Sequence, residues 1–194
     1  MELADTPQVP PALETPRLRL RAFTPADAAD VERLAGERAI ADTTLNIPHP
    51  YPPGAAQAWI ATHGPAWQAR RSLTCAITLR SSGALAGAVG LVLTPEHALA
   101  ELGYWIAVPF WGRGFATEAA RRLVGFGFSE LGLHRVQARH LVRNPSSGRV
   151  MQKLGMVFEG VFRDGVRKWD RFEDVAMYAI LAPEWSEAAG APPA

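Results

Sequence analysis

The sequence is poor in several features that announce a function. It holds one cysteine, Cys75, in 194 residues. A single thiol cannot close an internal disulfide, so nothing points to an oxidising compartment or a disulfide scaffold. Neither sign of charge is in excess: Lys and Arg number 20 against 19 Asp and Glu, a net +1. Nucleic-acid binders usually carry a basic surplus. The longest apolar run, at 84–93, is half the roughly 20 residues a membrane-spanning helix requires. The first residues are acidic and proline-rich, with neither the basic nor the apolar region of a secretory signal. Histidines at 49, 63, 97, 134 and 140 lack metal-ligand spacing. A G-x-S-x-G elbow is missing, and so is the Gly-Lys-Ser/Thr end of a P-loop. The expectation is a cytoplasmic protein without a metal and without a nucleic-acid or membrane partner.

Proline and glycine are plentiful, at 16 and 17 residues, and their placement organises the chain. Prolines cluster before residue 17 and from Pro183 onward, so 1–16 and 183–194 read as poorly ordered tails around one domain, 17–182. Four more crowd into NIPHPYPPG, 46–54, which reads as a loop.

Within the domain the hydrophobic period alternates between 2 and 3.6. RLRLRAF (17–23) reads as a strand. A helix follows, with Thr24 as cap, Pro25 at its first position and Ala28, Val31, Leu34 and Ala35 on one face. A second helix from Gly54 is interrupted or ended near Gly64-Pro65. Strands at 72–80, 84–93 and 100–108 are joined by short turns that suit antiparallel hairpins. Ala120, Leu123, Val124, Gly127 and Leu131 then share a helical face. A strand at 135–144 leads to a short helix bracketed by Asn144, Pro145 and Gly155. Two closing strands complete a mixed α/β domain, in which a meander enters a strand–helix–strand crossover.

The segment YWIAVPFWGRGFATEAA, 104–120, runs from strand through Gly112 and Gly114 into a helix. Amides at a helix start are unpaired, the helix dipole is positive there, and glycine lets that backbone approach an anion closely. Arg113 adds a charged donor. A phosphate or pyrophosphate cradle follows. A dinucleotide fingerprint would need glycine where Thr117 stands, and an acidic residue where Arg143-Asn144 stands.

Trp111-Gly112-Arg113-Gly114-Phe115-Ala116 resembles the acetyl-CoA loop, Q/R-x-x-G-x-G/A, of the GNAT superfamily of N-acetyltransferases. Trp111 is similar to the tryptophan of the RimJ/RimL branch, which modifies ribosomal proteins. A second segment, NPSSGRVMQKLGMVFEGVFRDG, resembles the family's downstream pattern through Asn144, Ser147, Lys153, Leu154, Gly155, Glu159 and Gly160, with Met156 for the usual Phe. The resemblance implies a GNAT fold of α+β (mixed α/β) class: a central, mostly antiparallel twisted sheet of six to seven strands with about four helices.

It also implies the chemistry, transfer of an acetyl group from acetyl-CoA to a primary amine. Glu101 matches the position of the family's glutamate base, which takes the amine proton. Ile106, Ala107 and Val108 stand where the family's backbone donors polarise the carbonyl. Trp111, Gly112, Arg113, Gly114, Phe115, Ala116 and Thr117 cradle the cofactor, with Asn144 and Ser147 contacting its pantetheine. Many relatives place a proton-donating tyrosine where Met151 stands; the RimJ/RimL branch uses the serine one turn earlier, here Ser147, as acid or orienting group. Asp42, Asp164, Asp170 and Glu173 are candidates to attract a cationic amine. The acceptor stays open between a protein N-terminus and a small-molecule amine. A catalytically silent acetyl-CoA-binding module and a nucleotide-binding oxidoreductase are the other readings. Oligomeric state is not encoded in any of these patterns.

Overall fold

The computed structural model describes residues 9–185. Two short strands, β1 (Leu13–Glu14) and β2 (Leu18–Arg21), precede four short helices: α1 (Ala28–Ala35), α2 (Arg38–Thr43), α3 (Ala55–Ala61) and α4 (His63–Gln68). Strands β3 (Ser72–Leu79), β4 (Leu85–Thr94) and β5 (Leu99–Ile106) form the expected meander. Helix α5 (Phe115–Ser129) crosses over to β6 (Arg135–Leu141); α6 (Pro145–Lys153), β7 (Val157–Lys168) and β8 (Arg171–Leu181) follow. The sheet order is β1-β2-β3-β4-β5-β6-β8-β7. Among the described residues β5 and β6 are the one parallel pair, joined by the crossover through α5; β2 and β3, although separated by four helices, pair antiparallel.

Each face of the sheet carries its own core. Alternation along β5 sends Ala100, Leu102 and Ile106 toward α5 and α6, and Trp105 toward α1 and α3. On the first face Leu123 and Val124 of α5 are fully buried, each such side chain contributing about 1.5–3 kcal/mol. A Cβ on Gly127 would come within 2.9 Å of Leu133 Cδ1 and 3.3 Å of Leu91 Cδ1, so this glycine seats α5 close to β4. On the second face Val31, Leu34, Ile40 and Ile60 close over Ala76, Ala88 and Trp105. None of the helices among the described residues is long and apolar enough to cross a membrane.

The sheet is larger than expected, with eight strands among the described residues and six α-helices. The extra strand comes from the presumed N-terminal tail: Leu13 and Glu14 pair with Leu20 and Arg19. Thr15 anchors this turn, its hydroxyl donating to Glu118 at 2.7 Å. Of the tails expected at 1–16 and 183–194, residues 1–8 and 186–194 lie outside the described residues. Between α1 and the 46–54 loop lies α2, and the break after α3 falls at Thr62. Pro65 sits in the first turn of α4, where a missing N–H costs nothing.

His63 begins α4, with its ring 4.4 Å from that of Trp59 and 5.4 Å from that of Phe23. Neither ring nitrogen has a hydrogen-bond partner among the described residues, and burial lowers its pKa to about 4. Between pH ~6.5 and that value the unfolded chain takes up a proton that the folded chain refuses. The stability owed to the neutral ring is therefore full above pH ~6.5 and lost as pH falls toward 4. His63→Phe is expected to flatten the Tm-against-pH curve across that window while leaving the acid limb below it, where Asp27 beside Arg21 titrates, in place.

Candidate active site

The glycine loop is held in shape from behind. Gly112 and Gly114 adopt left-handed φ of +75° and +77°, which glycine tolerates without strain. A Cβ on Gly112 would meet nothing within 4 Å, so the loop faces open space. The first intrahelical bond of α5 runs from Glu118 N to Gly114 O, leaving the amides of Phe115, Ala116 and Thr117 directed outward. Arg17 donates from Nη1 to Arg113 O at 3.0 Å and from Nε to Glu118 Oε2 at 2.6 Å. Its guanidinium lies 4.8 Å from the centre of the Phe115 ring. Trp111 Nε1 donates to Ile106 O at 2.6 Å, tying the loop to the end of β5. Together these contacts fix a backbone concavity at a helix N-terminus, suited to an anion.

Beside it the parallel strands part. The β5–β6 register ends at Leu102–Ala138, while β6 stays paired with β8 as far as Leu141. The wedge is bordered by α6, whose cap Asn144 accepts from Ser147 N at 3.4 Å and donates to Thr43 O at 3.4 Å. Tyr104 lies 2.8 Å, hydroxyl to hydroxyl, from Ser147 and donates to Ser147 O at 3.1 Å. Burial pushes the Tyr104 phenol up to about 12, against the pull of the Ser147 hydrogen bond. At neutral pH it is a phenol, able to donate. Tyr104 went unread in the sequence; the available signal was a polar-tipped aromatic on the strand face that otherwise carries Ala100, Leu102 and Ile106. Met151 is buried in the core. Of the three expected backbone donors, Ala107 is not available: its N–H bonds Ala86 O at 2.8 Å, extending the β4 ladder.

A cavity of about 500 Å³ joins the wedge to the space under α1, α3 and the 44–48 segment. Glu101, Gly103, Trp105, Tyr104 and Ser147 all line it. The Glu101 carboxylate accepts from Arg139 Nε at 2.8 Å. His140 also lines the cavity, its Nε2 buried without a partner. The expected acidic attraction from Asp42, Asp164, Asp170 and Glu173 does not materialise, since none of the four lines the cavity. Arg143 pairs with Asp42 at 3.0 Å and with Glu173 at 2.8 Å, and Arg171 adds a second pair to Glu173 at 2.7 Å. Lys168 is buried, its amine within 3.5 Å of the carbonyls of Leu45 and Ile47. Burial lowers the Lys168 pKa, and this ammonium fixes the segment that walls the cavity.

Removing the Arg17 fork should loosen the glycine loop while leaving the sheet intact. Arg17→Met is expected to raise amide hydrogen exchange at Trp111 and Glu118, whose N–H groups bond Val108 O and Gly114 O on either side of the loop, at least tenfold, with protection in β3 and β4 unchanged.

Residues 17–157 match the acetyltransferase (GNAT) domain. The chain is 32% identical over 183 residues to the uncharacterized N-acetyltransferase YoaA of Bacillus subtilis (strain 168), covering 89% of this chain and 98% of that one. It is 29% identical over 89 residues to the ribosomal-protein-serine acetyltransferase of Escherichia coli (strain K12), a match spanning 46% of this chain and 50% of that enzyme. The fold superposes on Mycobacterium smegmatis RimJ in complex with CoA-disulfide with a TM-score of 0.81 at 24% identity, covering 92% and 90% of the two chains. With the glycine loop, the parted strands and a domain match over most of its length, the chain belongs to the GNAT family of acetyltransferases.

Proposed function

We propose that this acetyltransferase moves the acetyl group of acetyl-CoA to the α-amine of a protein N-terminus, with Glu101 as base and Ser147 at the sulfur. The observation that carries this reading is a single cavity with a carboxylate on one strand face and the Ser147–Tyr104 hydroxyl pair at the wedge. The protein acceptor is supported by the similarity to the ribosomal-protein-serine acetyltransferase.

The residues present suit the cofactor. The free amides at the start of α5 and the open face of Gly112 fit a pyrophosphate, with Arg113 as an added cation. Acetyl-CoA supplies a thioester, which activates the acetyl group and leaves as a thiolate. Glu101 receives the proton that the acceptor ammonium must shed before its nitrogen can attack. Arg139 holds that carboxylate in one orientation. When the single Tyr104 proton turns from Ser147 O to Ser147 Oγ, the Ser147 O–H is free to point at the departing sulfur. A thiol titrates near ~8.5, so a hydrogen bond suffices to ease its departure. The N–H groups of Ile106 and Val108 are the candidates to bind the developing negative oxygen.

Release of free thiol from acetyl-CoA, screened over N-terminal peptides and small amines, tests the reaction. Glu101→Gln is expected to lower kcat at neutral pH by roughly 10²-fold or more while acetyl-CoA affinity, measured by calorimetry, is unchanged. An unaltered kcat removes Glu101 from the mechanism. Tyr104→Phe and Ser147→Ala are each expected to reduce kcat by about 5–10-fold, the worth of one hydrogen bond. Combined, they should cost little more than Ser147→Ala alone, because Tyr104 acts through Ser147.

A further inference from the structure

The acceptor end of the cavity has a composition that narrows its substrate. Its walls are Val31, Ala35, Leu45, Ile47, Tyr51 and Trp59. Glu101 and Arg139 are the carboxylate and the guanidinium of its lining among the described residues, with the His140 imidazole as the other base. The neighbouring carboxylates, Asp42 and Glu173, are already occupied by Arg143 and Arg171. A polyamine entering here would bring a second ammonium with no carboxylate to meet it, among apolar walls where an unpaired charge is costly.

The Glu101–Arg139 pair is itself only half used. Arg139 spends Nε on Glu101 Oε1, which leaves Glu101 Oε2 and both terminal nitrogens of Arg139 without hydrogen-bond partners among the described residues. An anionic oxygen and a guanidinium fork therefore stand side by side at the cavity wall. That arrangement matches a molecule whose amine and carbonyl oxygen sit on adjacent carbons: the amine meets Glu101, and the oxygen meets the Arg139 donors. An apolar side chain on the same unit then has the Leu45–Ile47–Trp59 wall to fill.

We propose that the acceptor is an α-amino-acid unit with a large apolar side chain, its carbonyl or carboxylate oxygen held by Arg139. This rests on the acetyltransferase reading above and narrows its acceptor. The unit can be a free amino acid or the first residue of a peptide, since both present the same α-amine, oxygen and side chain. Arg139 and the Ile47 wall are the specificity determinants.

The test uses the full chain with acetyl-CoA and reads thiol release over four acceptors: L-phenylalanine, a Phe-Ala-Ala peptide, phenethylamine and spermidine. One of the first two is expected to exceed both phenethylamine and spermidine at least tenfold in kcat/KM, and which one does so identifies the source. In Arg139→Gln the ratio of the preferred acceptor to phenethylamine should fall to within threefold of unity. Ile47→Asp should lower kcat/KM for the preferred acceptor at least tenfold more than for a Ser-Ala-Ala peptide. Spermidine turned over as well as the phenylalanine acceptors, or a ratio untouched by Arg139→Gln, overturns this inference and leaves acetyl transfer standing. Acetyl-CoA binding with no amine acetylated overturns acetyl transfer and this inference together.

Discussion

The parting of two parallel strands is the constraint on which the site depends. Backbone groups of a sheet interior must be paired or solvated, and past Leu102–Ala138 the β5 edge loses its β6 partner. The strand is kept in place there by its other edge, through the β4 register and the Ala107–Ala86 bond. Trp111 takes up the Ile106 carbonyl, and the Tyr104 side chain reaches across to α6. An extended ligand arm entering this gap would find backbone donors on one side and hydroxyls on the other. The glycine loop lies at the end of the same strand, so one element carries both the wedge and the anion-suited concavity.

Met151 stands on α6 where many relatives carry a tyrosine, and a phenol reaches Ser147 from β5, through Tyr104. At position 151 the helix carries an apolar side chain buried in the core, and the hydroxyl comes instead from the strand. Tyr104 is held by the β4 ladder, paired with Val89 two residues past the last β5–β6 pair. Its raised pKa keeps it a donor throughout the physiological range.

Local rules made much of this legible in the sequence. Gly112 and Gly114 announced a turn that needs positive φ, and both adopt it. Asn144, Pro145 and Gly155 bracketed α6, which runs from Pro145 to Lys153. Glu101, Gly103 and Trp105 share one face by the two-residue period of a strand, and all three line the cavity. The misses are contacts between residues far apart in the chain. Arg17 meets Glu118 and Arg143 meets Asp42 across 101 residues each; Lys168 reaches Leu45 across 123. No periodicity or spacing encodes such pairings, because they depend on how β1–β2 and the β7–β8 hairpin fold back over the site. The same blindness made Asp42 and Glu173 look like free attractants for a cation.

That error bears on how the near-zero net charge should be understood. Around the site each acidic group is matched by an arginine from a different element: Glu118 by Arg17, Glu101 by Arg139, Asp42 and Glu173 by Arg143. Glu118, in the first turn of α5, would repel an anion at the glycine loop if left alone; Arg17 cancels that charge and also bonds the loop backbone. The Asp42 and Glu173 pairs likewise cancel charges that would otherwise favour polycations at the acceptor end. What these pairings leave for recognition is directional: amides at a helix start, a half-used carboxylate and a guanidinium fork. Selectivity in such a site comes from the positions of a few donors and acceptors against an apolar wall, which total charge does not record.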